Sequence, residues 1–409
     1  MRNLLFVPAD PRTSQALEKA LGLGPKIWDW FIAPNATAAR DQLGKKQCDA
    51  VVADLGSEPA LELLTEVCNS YPEVVRIGVS GQSAAKNQRI SFVQQTISSL
   101  LDLAQLDIAV ERSCRLRDLL QGERICSIVG KVEELPSAPT VFVKLMETLD
   151  QPEASIGDVA GIIEGDAAIS AKLLQIVNSC IFRTSHDIAT VRMAASFLGL
   201  EVVKNLVLSL GVFKAFENLP AIAEFSLEDM QAHSRLTAAI AQRLGLSKEA
   251  QDAAVVASLL HDIGKLVLAY KMPNRFARLL ASAKSNRQPL YRIEEELWGI
   301  THAEVGAYLL GLWGLPIRVT EAIAYHHAPS AVPHRGFDAI SAVYVANLLA
   351  HASNESSEKC EWDLPFLNTV GVAAQVPAWK EIAKEVRLLQ REGLQRGFES
   401  KERVTVGER

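Results

Sequence analysis

The sequence predicts a multidomain protein, with a doubly wound α/β domain over residues 1–108 and an all-α domain over residues 131–352. Three observations predict it. Up to about residue 108, short apolar runs alternate with helix-periodic segments, the pattern of a parallel sheet covered on both faces. From residue 131 the apolar period is helical without interruption, with no Val- or Ile-rich alternation to support a second sheet. Histidines then recur one by one on successive helix-like runs, at His233, His261, His302 and His326.

Taken in order, Leu4 to Val7, Trp30 to Ala33, Ala50 to Ala53 and Val74 to Val79 read as strands, within a sheet expected to have five. Ser14 to Leu21, Ala36 to Leu43 and Ala60 to Ser70 read as the intervening helices. In open sheets of this kind functional groups collect at the carboxyl ends of the strands. There the sequence places Asp10, Asp54 and Ser80. Residues 109–130 form a helical linker, part of a helix read from about Leu103 to Ile128 whose apolar positions, Leu106, Val110, Leu116, Leu119 and Leu120 among them, suit either a second copy of the helix or the protein's own domain.

Beyond the linker, Ser137 is placed to cap a helix carrying Val141, Leu145, Met146 and Leu149 on one face. Asp166 caps another that carries Ile169, Leu173, Leu174 and Val177. Gly199 separates two more, and Lys172 and Lys204 read as solvated positions. Residues 353–409 form a C-terminal extension: a polar loop at 353–359, helices around 364–370 and 377–393, and a charged tail from Arg396.

Composition narrows the function classes. A chain of 409 residues, 48% hydrophobic and 22% charged, can build two or three packed cores. Its net charge of −6 argues against a nucleic-acid binder that relies on bulk electrostatics. No apolar run reads as a membrane helix, and Leu4 to Val7, followed at once by Pro8, is too short for a secretory signal, so a cytoplasmic protein is expected. The six cysteines show no CxxC spacing and read as free thiols.

The centre of the helical domain is Ser258-Leu-Leu-His-Asp-Ile-Gly-Lys-Leu266, which ends an apolar run with two metal-ligand types side by side, His261 and Asp262. Gly264 allows a close turn there. With His233, His302, His326 and His327 the order resembles the HD superfamily of metal-dependent phosphohydrolases, all-helical proteins that gather His and Asp ligands from successive helices. Leu135-Pro-Ser-Ala-Pro139, Ile163-Glu-Gly-Asp166 with its following helix, and Phe197-Leu-Gly-Leu-Glu-Val-Val-Lys-Asn-Leu-Val207 narrow this resemblance to the HDOD domain, a relative found in bacterial signalling proteins and usually without enzymatic activity.

The resemblance implies a divalent transition metal (iron, manganese or zinc) held by His233, His261, Asp262, His302 and His326, with His327 and Asn347 as further members. Such a metal lowers the pKa of bound water and directs hydroxide at a phosphate ester, and Lys265 would neutralise that phosphate as the one catalytic side chain. Asn347 stands where the cyclic-dinucleotide-cleaving branch places a final aspartate, and no Gly-Tyr-Pro follows the tandem histidines.

The N-terminal domain resembles a response-regulator receiver, with Asp54 as phosphoacceptor, Asp10 and Ser80 beside it and magnesium between the acids. It departs from that pattern in carrying one acid after the first strand, in Pro8-Ala9-Asp10, and no late Lys-Pro. Two functions follow as expectations. One is a signalling regulator whose non-catalytic output binds partner proteins, among them a sensor kinase or cyclic-di-GMP-type enzymes, with a homodimer through the linker as one expected assembly; the other is a metal-dependent phosphohydrolase acting on a nucleotide.

Overall fold

The computed structural model describes residues 1–23, 28–80, 93–122, 138–149, 154–179, 187–216, 219–352 and 362–390, with residues 125, 128, 151, 181 and 182 between them. Ser137, most of 123–130, the loop at 353–359, the tail from Arg396 and Cys126, Cys180 and Cys360 lie outside the described residues. The chain divides into two units, Met1–Gln121 and Gly122–Arg409.

The first unit runs β1 (Arg2–Val7), α1 (Pro11–Leu23), β2 (Trp28–Ile32), α2 (Ala36–Leu43), β3 (Ala50–Asp54), α3 (Glu58–Ser70), β4 (Val75–Val79), β5 (Gln95–Ile97) and α4 (Leu103–Leu120). All strands are parallel in the order β2-β1-β3-β4-β5. Strand alternation sorts the core into two layers. Leu4, Phe6, Ala50, Val52, Val75 and Ile77 pack with Leu17 of α1 and with Leu106, Ala109, Val110 and Cys114 of α4. Leu5, Val7, Val51 and Ala53 pack on the opposite side with Leu43 of α2 and Leu63, Leu64 and Val67 of α3. Burial on both faces is why β1, from Leu4 to Val7, and β3, from Ala50 to Ala53, read as apolar runs, whereas β2 at the sheet edge is half exposed.

The segment read as the start of a linker at residue 109 is the later part of α4. Its apolar residues Leu106, Ala109, Val110 and Cys114 pack on its own sheet. Arg117 fastens it there, donating to the carbonyl of Asp49 at 3.1 Å and to the Asp49 carboxylate at 3.0 Å.

The second unit is helical, and among the described residues no strand follows Ile97. It opens with α5 (Thr140–Leu149), α6 (Ile156–Glu164), α7 (Ala167–Val177), α8 (Val191–Leu198) and α9 (Leu200–Ala215). Asp166 caps α7, accepting from the backbone of Ala168 and Ile169. Gly199, at φ 87°, makes the joint between α8 and α9 in a backbone region that side chains disfavour. α9 packs against α5, α7 and α8 and is buried nearly all round. Lys204, expected on a solvated face, is therefore 7% exposed, its ammonium 3.0 Å from Glu201.

The remainder comprises α10 (Leu227–Ala241), α11 (Lys248–Leu260), α12 (Ile263–Lys271), α13 (Pro273–Asn286), α14 (Leu290–Trp298), α15 (His302–Leu312), α16 (Ile317–Ala324), α17 (Ala339–His351), α18 (Leu364–Thr369) and a helix over 376–390. α10 packs on α11 and α17, α12 on α15, and α15 on α16. The stretch Lys248–Lys271 is long and apolar enough to match a membrane span, a length the sequence reading did not find in any run. Its most apolar window is 89% buried among the other helices, as expected of core helices in a folded unit.

Candidate metal centre

His261 directly follows α11 and His326 lies just beyond α16, so each follows a helix whose last carbonyls lack intrahelical partners. Each ring turns back on its own helix. His261 Nδ1 lies 2.8 Å from the Ser258 carbonyl and His326 Nδ1 2.7 Å from the Ile323 carbonyl, both three residues earlier. A carbonyl only accepts, so Nδ1 carries the proton in both rings and Nε2 keeps its lone pair. His302 opens α15, and its Nδ1 donates to Glu294 Oε2 at 2.6 Å. Three rings are thus oriented from behind, the arrangement by which protein groups fix the tautomer of metal-ligating histidines.

Their free nitrogens meet in the interior. His302 Nε2 is 3.2 Å from Asp262 Oδ1 and 3.1 Å from His327 Nε2. His233, on α10, sets its Nε2 3.2 Å from His261 Nε2 and 2.9 Å from Asn347 Oδ1. Asp262 sits in the break between α11 and α12, its Oδ2 3.5 Å from His261 Nε2. The ligand-type atoms form two groups, His302 with His326 and His327, and His233 with His261 and Asp262, each within 4.8 Å.

The donor set fits a divalent transition metal. His326 Nε2 is fully buried without a hydrogen-bond partner, a costly state for a polar atom that a metal ion would relieve. Burial, reinforced by neighbouring histidines, holds His233, His326 and His327 well below the ordinary imidazole pKa, in the neutral form that ligates. Burial alone would raise Asp262, but His261, Lys265 and His302 hold it well below the usual carboxylate range. His302 moves the other way: burial lowers it, while the carboxylates of Glu294 and Asp262 outweigh that and raise it.

Gly264 belongs to α12 and has no unusual φ, so its service is close packing and not the turn expected of it. A Cβ there would lie 1.8 Å from the His302 carbonyl oxygen, and across the same crossing a Cβ on Gly306 would lie 3.0 Å from the Gly264 backbone nitrogen. Lys265 Nζ bonds Asp262 Oδ2 at 2.7 Å, so the cation neutralises the Asp262 carboxylate. A cleft of about 350 Å³ reaches the centre, lined by Tyr291, Arg292, His326, His327, Asn347 and Trp362 among others. Tyr291 stacks on His327 at 4.1 Å between ring centres.

Sequence reading did not find Glu294, Tyr291 or His351. The first two lie three apart on α14 and share a face, which the acidic run Glu294-Glu-Glu296 hides by resembling a solvated surface. His351 closes α17 with its ring 4.4 Å from that of His233.

At the carboxyl end of the sheet the three residues have local duties. Asp10 caps α1, accepting from the backbone of Arg12 and Thr13 and, at 2.6 Å, from the Thr13 hydroxyl, which holds its carboxyl below the ordinary range. Asp54 ends β3 and accepts from Gly56 N at 2.8 Å. Ser80 N donates to the Ile97 carbonyl at 2.9 Å. Among the described residues, Asp10 and Asp54 belong to neither group of converging ligand-type atoms.

An all-helical unit that brings His and Asp side chains together in this order is similar to HD-type domains. The HDOD domain model matches residues 135–329, and the chain carries an HDOD domain behind a receiver-like parallel α/β unit. Over 227 residues it is 26% identical to an uncharacterized protein of Treponema pallidum (strain Nichols), a match covering 54% of this chain and 43% of that relative, less than half its length. An HDOD domain protein of unknown function from Geobacter sulfurreducens is similar in fold, at 23% identity and a TM-score of 0.51, covering 66% of this chain and 94% of that one. A candidate signal transduction protein from Marinobacter aquaeolei VT8 is similar over 88% of this chain and 87% of its own, at 18% identity and a TM-score of 0.52.

Proposed function

We propose that this chain is a cytoplasmic signal-transduction protein whose HDOD domain holds a divalent transition metal (iron, manganese or zinc) and acts by binding partner proteins, with a sensor kinase or an enzyme of cyclic-di-GMP metabolism as the expected class. The convergence of imidazole Nε2 atoms around the partnerless nitrogen of His326 carries the metal. His233, His261, Asp262, His302, His326 and His327 would hold it. Bound there, the metal would supply Lewis acidity and a water of lowered pKa.

Two contacts favour binding over turnover. Asn347, where the cleaving branch has a carboxylate, offers a neutral amide already engaged by His233, and Lys265 is engaged by Asp262. The described cysteines Cys48, Cys68 and Cys114 are free thiols, in keeping with a reducing compartment. The receiver-like unit would serve as input, through docking and not phosphorylation.

The open cleft beside His326 and His327 supports a second reading, a metal-dependent phosphohydrolase. Hydrolysis of bis(4-nitrophenyl) phosphate and of cyclic di-GMP, after loading with each metal, separates the two. The binding reading expects negligible turnover. Metal-dependent turnover that disappears in a His261→Ala, Asp262→Ala variant would establish the phosphohydrolase.

A further inference from the structure

We infer that Glu294 is a positioning residue for the metal centre: from α14 it fixes the ring of His302 and so sets the metal affinity of the HDOD domain, an inference that rests on the metal reading above. Glu294 is fully buried, and its Oε2 accepts twice from one residue, from the His302 backbone N at 2.8 Å and from Nδ1 at 2.6 Å. The backbone bond satisfies one of the donors left free at the start of α15 and sets a negative charge at the positive end of that helix. The ring bond is shorter than an ordinary N–H to oxygen bond, as expected when the acceptor is ionised.

Held at both ends, His302 has no free rotation about its side chain. Its Nε2 faces Asp262 and His327 in consequence. Glu294 Oε1 has no hydrogen-bond partner, so the described structure gives this buried carboxylate no polar duty other than His302. A carboxylate retained in a core at that cost does more for its partner than for packing. The same helix stacks Tyr291 on His327, so α14 braces two members of one ligand group, although it contributes no ligand of its own.

The test compares Glu294→Gln, nearly isosteric, and Glu294→Asp, which shortens the reach, with Glu296→Gln, an exposed neighbour on the same helix. Two readouts are taken on full-length protein whose folding is verified by circular dichroism. Ring ¹H–¹⁵N NMR of the metal-free protein reports the His302 tautomer, and zinc titration against a chromophoric chelator reports affinity. The expected result is a strongly downfield Nδ1 proton for wild type that is lost or shifted in both Glu294 variants, with zinc affinity down about 10- to 100-fold. Glu296→Gln should match wild type in both. Glu294 variants that keep the wild-type tautomer and affinity would overturn the role. Wild type that takes up no zinc while the Glu294 variants still change the tautomer would leave the positioning role standing and remove the metal reading.

Discussion

The carbonyl oxygen of His302 occupies the space beside Gly264 where any other residue would carry its Cβ, only 1.8 Å from that position. The Gly264 to Gly306 crossing brings α12 against α15 and thereby Asp262 within reach of His302.

Gly264→Ala should therefore cost more than an ordinary helix substitution, because the clash is with backbone that cannot turn aside. A loss of about 3 kcal/mol or more is expected, the upper end of overpacking in a core, together with loss of metal binding. Urea denaturation and metal titration check it. A variant with wild-type stability and metal affinity would contradict the packing described.

Asn347→Asp should strengthen the centre. A carboxylate 2.9 Å from His233 Nε2 adds a charged ligand where the amide is neutral, and roughly tenfold tighter metal binding follows. Isothermal titration with manganese reads this directly. Weaker binding in the variant would mean that Asn347 faces something other than the metal.

Acidification should destabilise the metal-free helical unit. His233, His261, His326 and His327 have pKa values lowered on folding, mainly by burial, so below about pH 6.5 the unfolded chain takes up protons that the native state refuses. His302 has the opposite sign: its raised pKa adds stability present below 6.5 and lost as pH rises through the folded value. With His351, which burial lowers to about 4, five lowered groups outweigh one raised group, and each net proton is worth up to about 1.4 kcal/mol per pH unit. Urea midpoints in chelator at pH 7.5 and 5.5 should fall toward the lower pH. An equal or higher midpoint at pH 5.5 would show that these rings are not buried and neutral.

Acetyl phosphate or beryllofluoride with magnesium should leave the α/β unit nearly unchanged. The Asp10 carboxylate is taken up in capping α1, and Asp54 is turned to Gly56. Fluorescence of the tryptophans in β2, Trp28 and Trp30, provides the readout. Stoichiometric magnesium-dependent modification of Asp54 would contradict this expectation.

Much of the fold was legible because burial writes directly into sequence. Doubly buried β1, β3 and β4 leave short apolar runs, and Asp166 and Gly199 mark helix ends through their own chemistry. Less visible was β5, three residues with little pattern of their own, and Lys204, which enters the core because α9 is covered on nearly every side. At the centre, the ligand-type residues could be read from residue type and order. Glu294 could not, since its role depends on α14 lying beside the start of α15, a tertiary fact that an acidic helix face does not announce. Gly264 was noticed for the wrong reason: sequence suggests a turn, whereas the structure uses the missing side chain to let two helices touch.

If the converging histidines of this HDOD domain hold a metal, the purified protein carries it. Elemental analysis of protein purified without chelator, beside the His261→Ala, Asp262→Ala variant prepared identically, tests it most directly. Iron, manganese or zinc is expected at near one equivalent or more per chain in the wild type and close to none in the folded variant. Metal-free wild type that also fails to take up any of the three on reconstitution would contradict it.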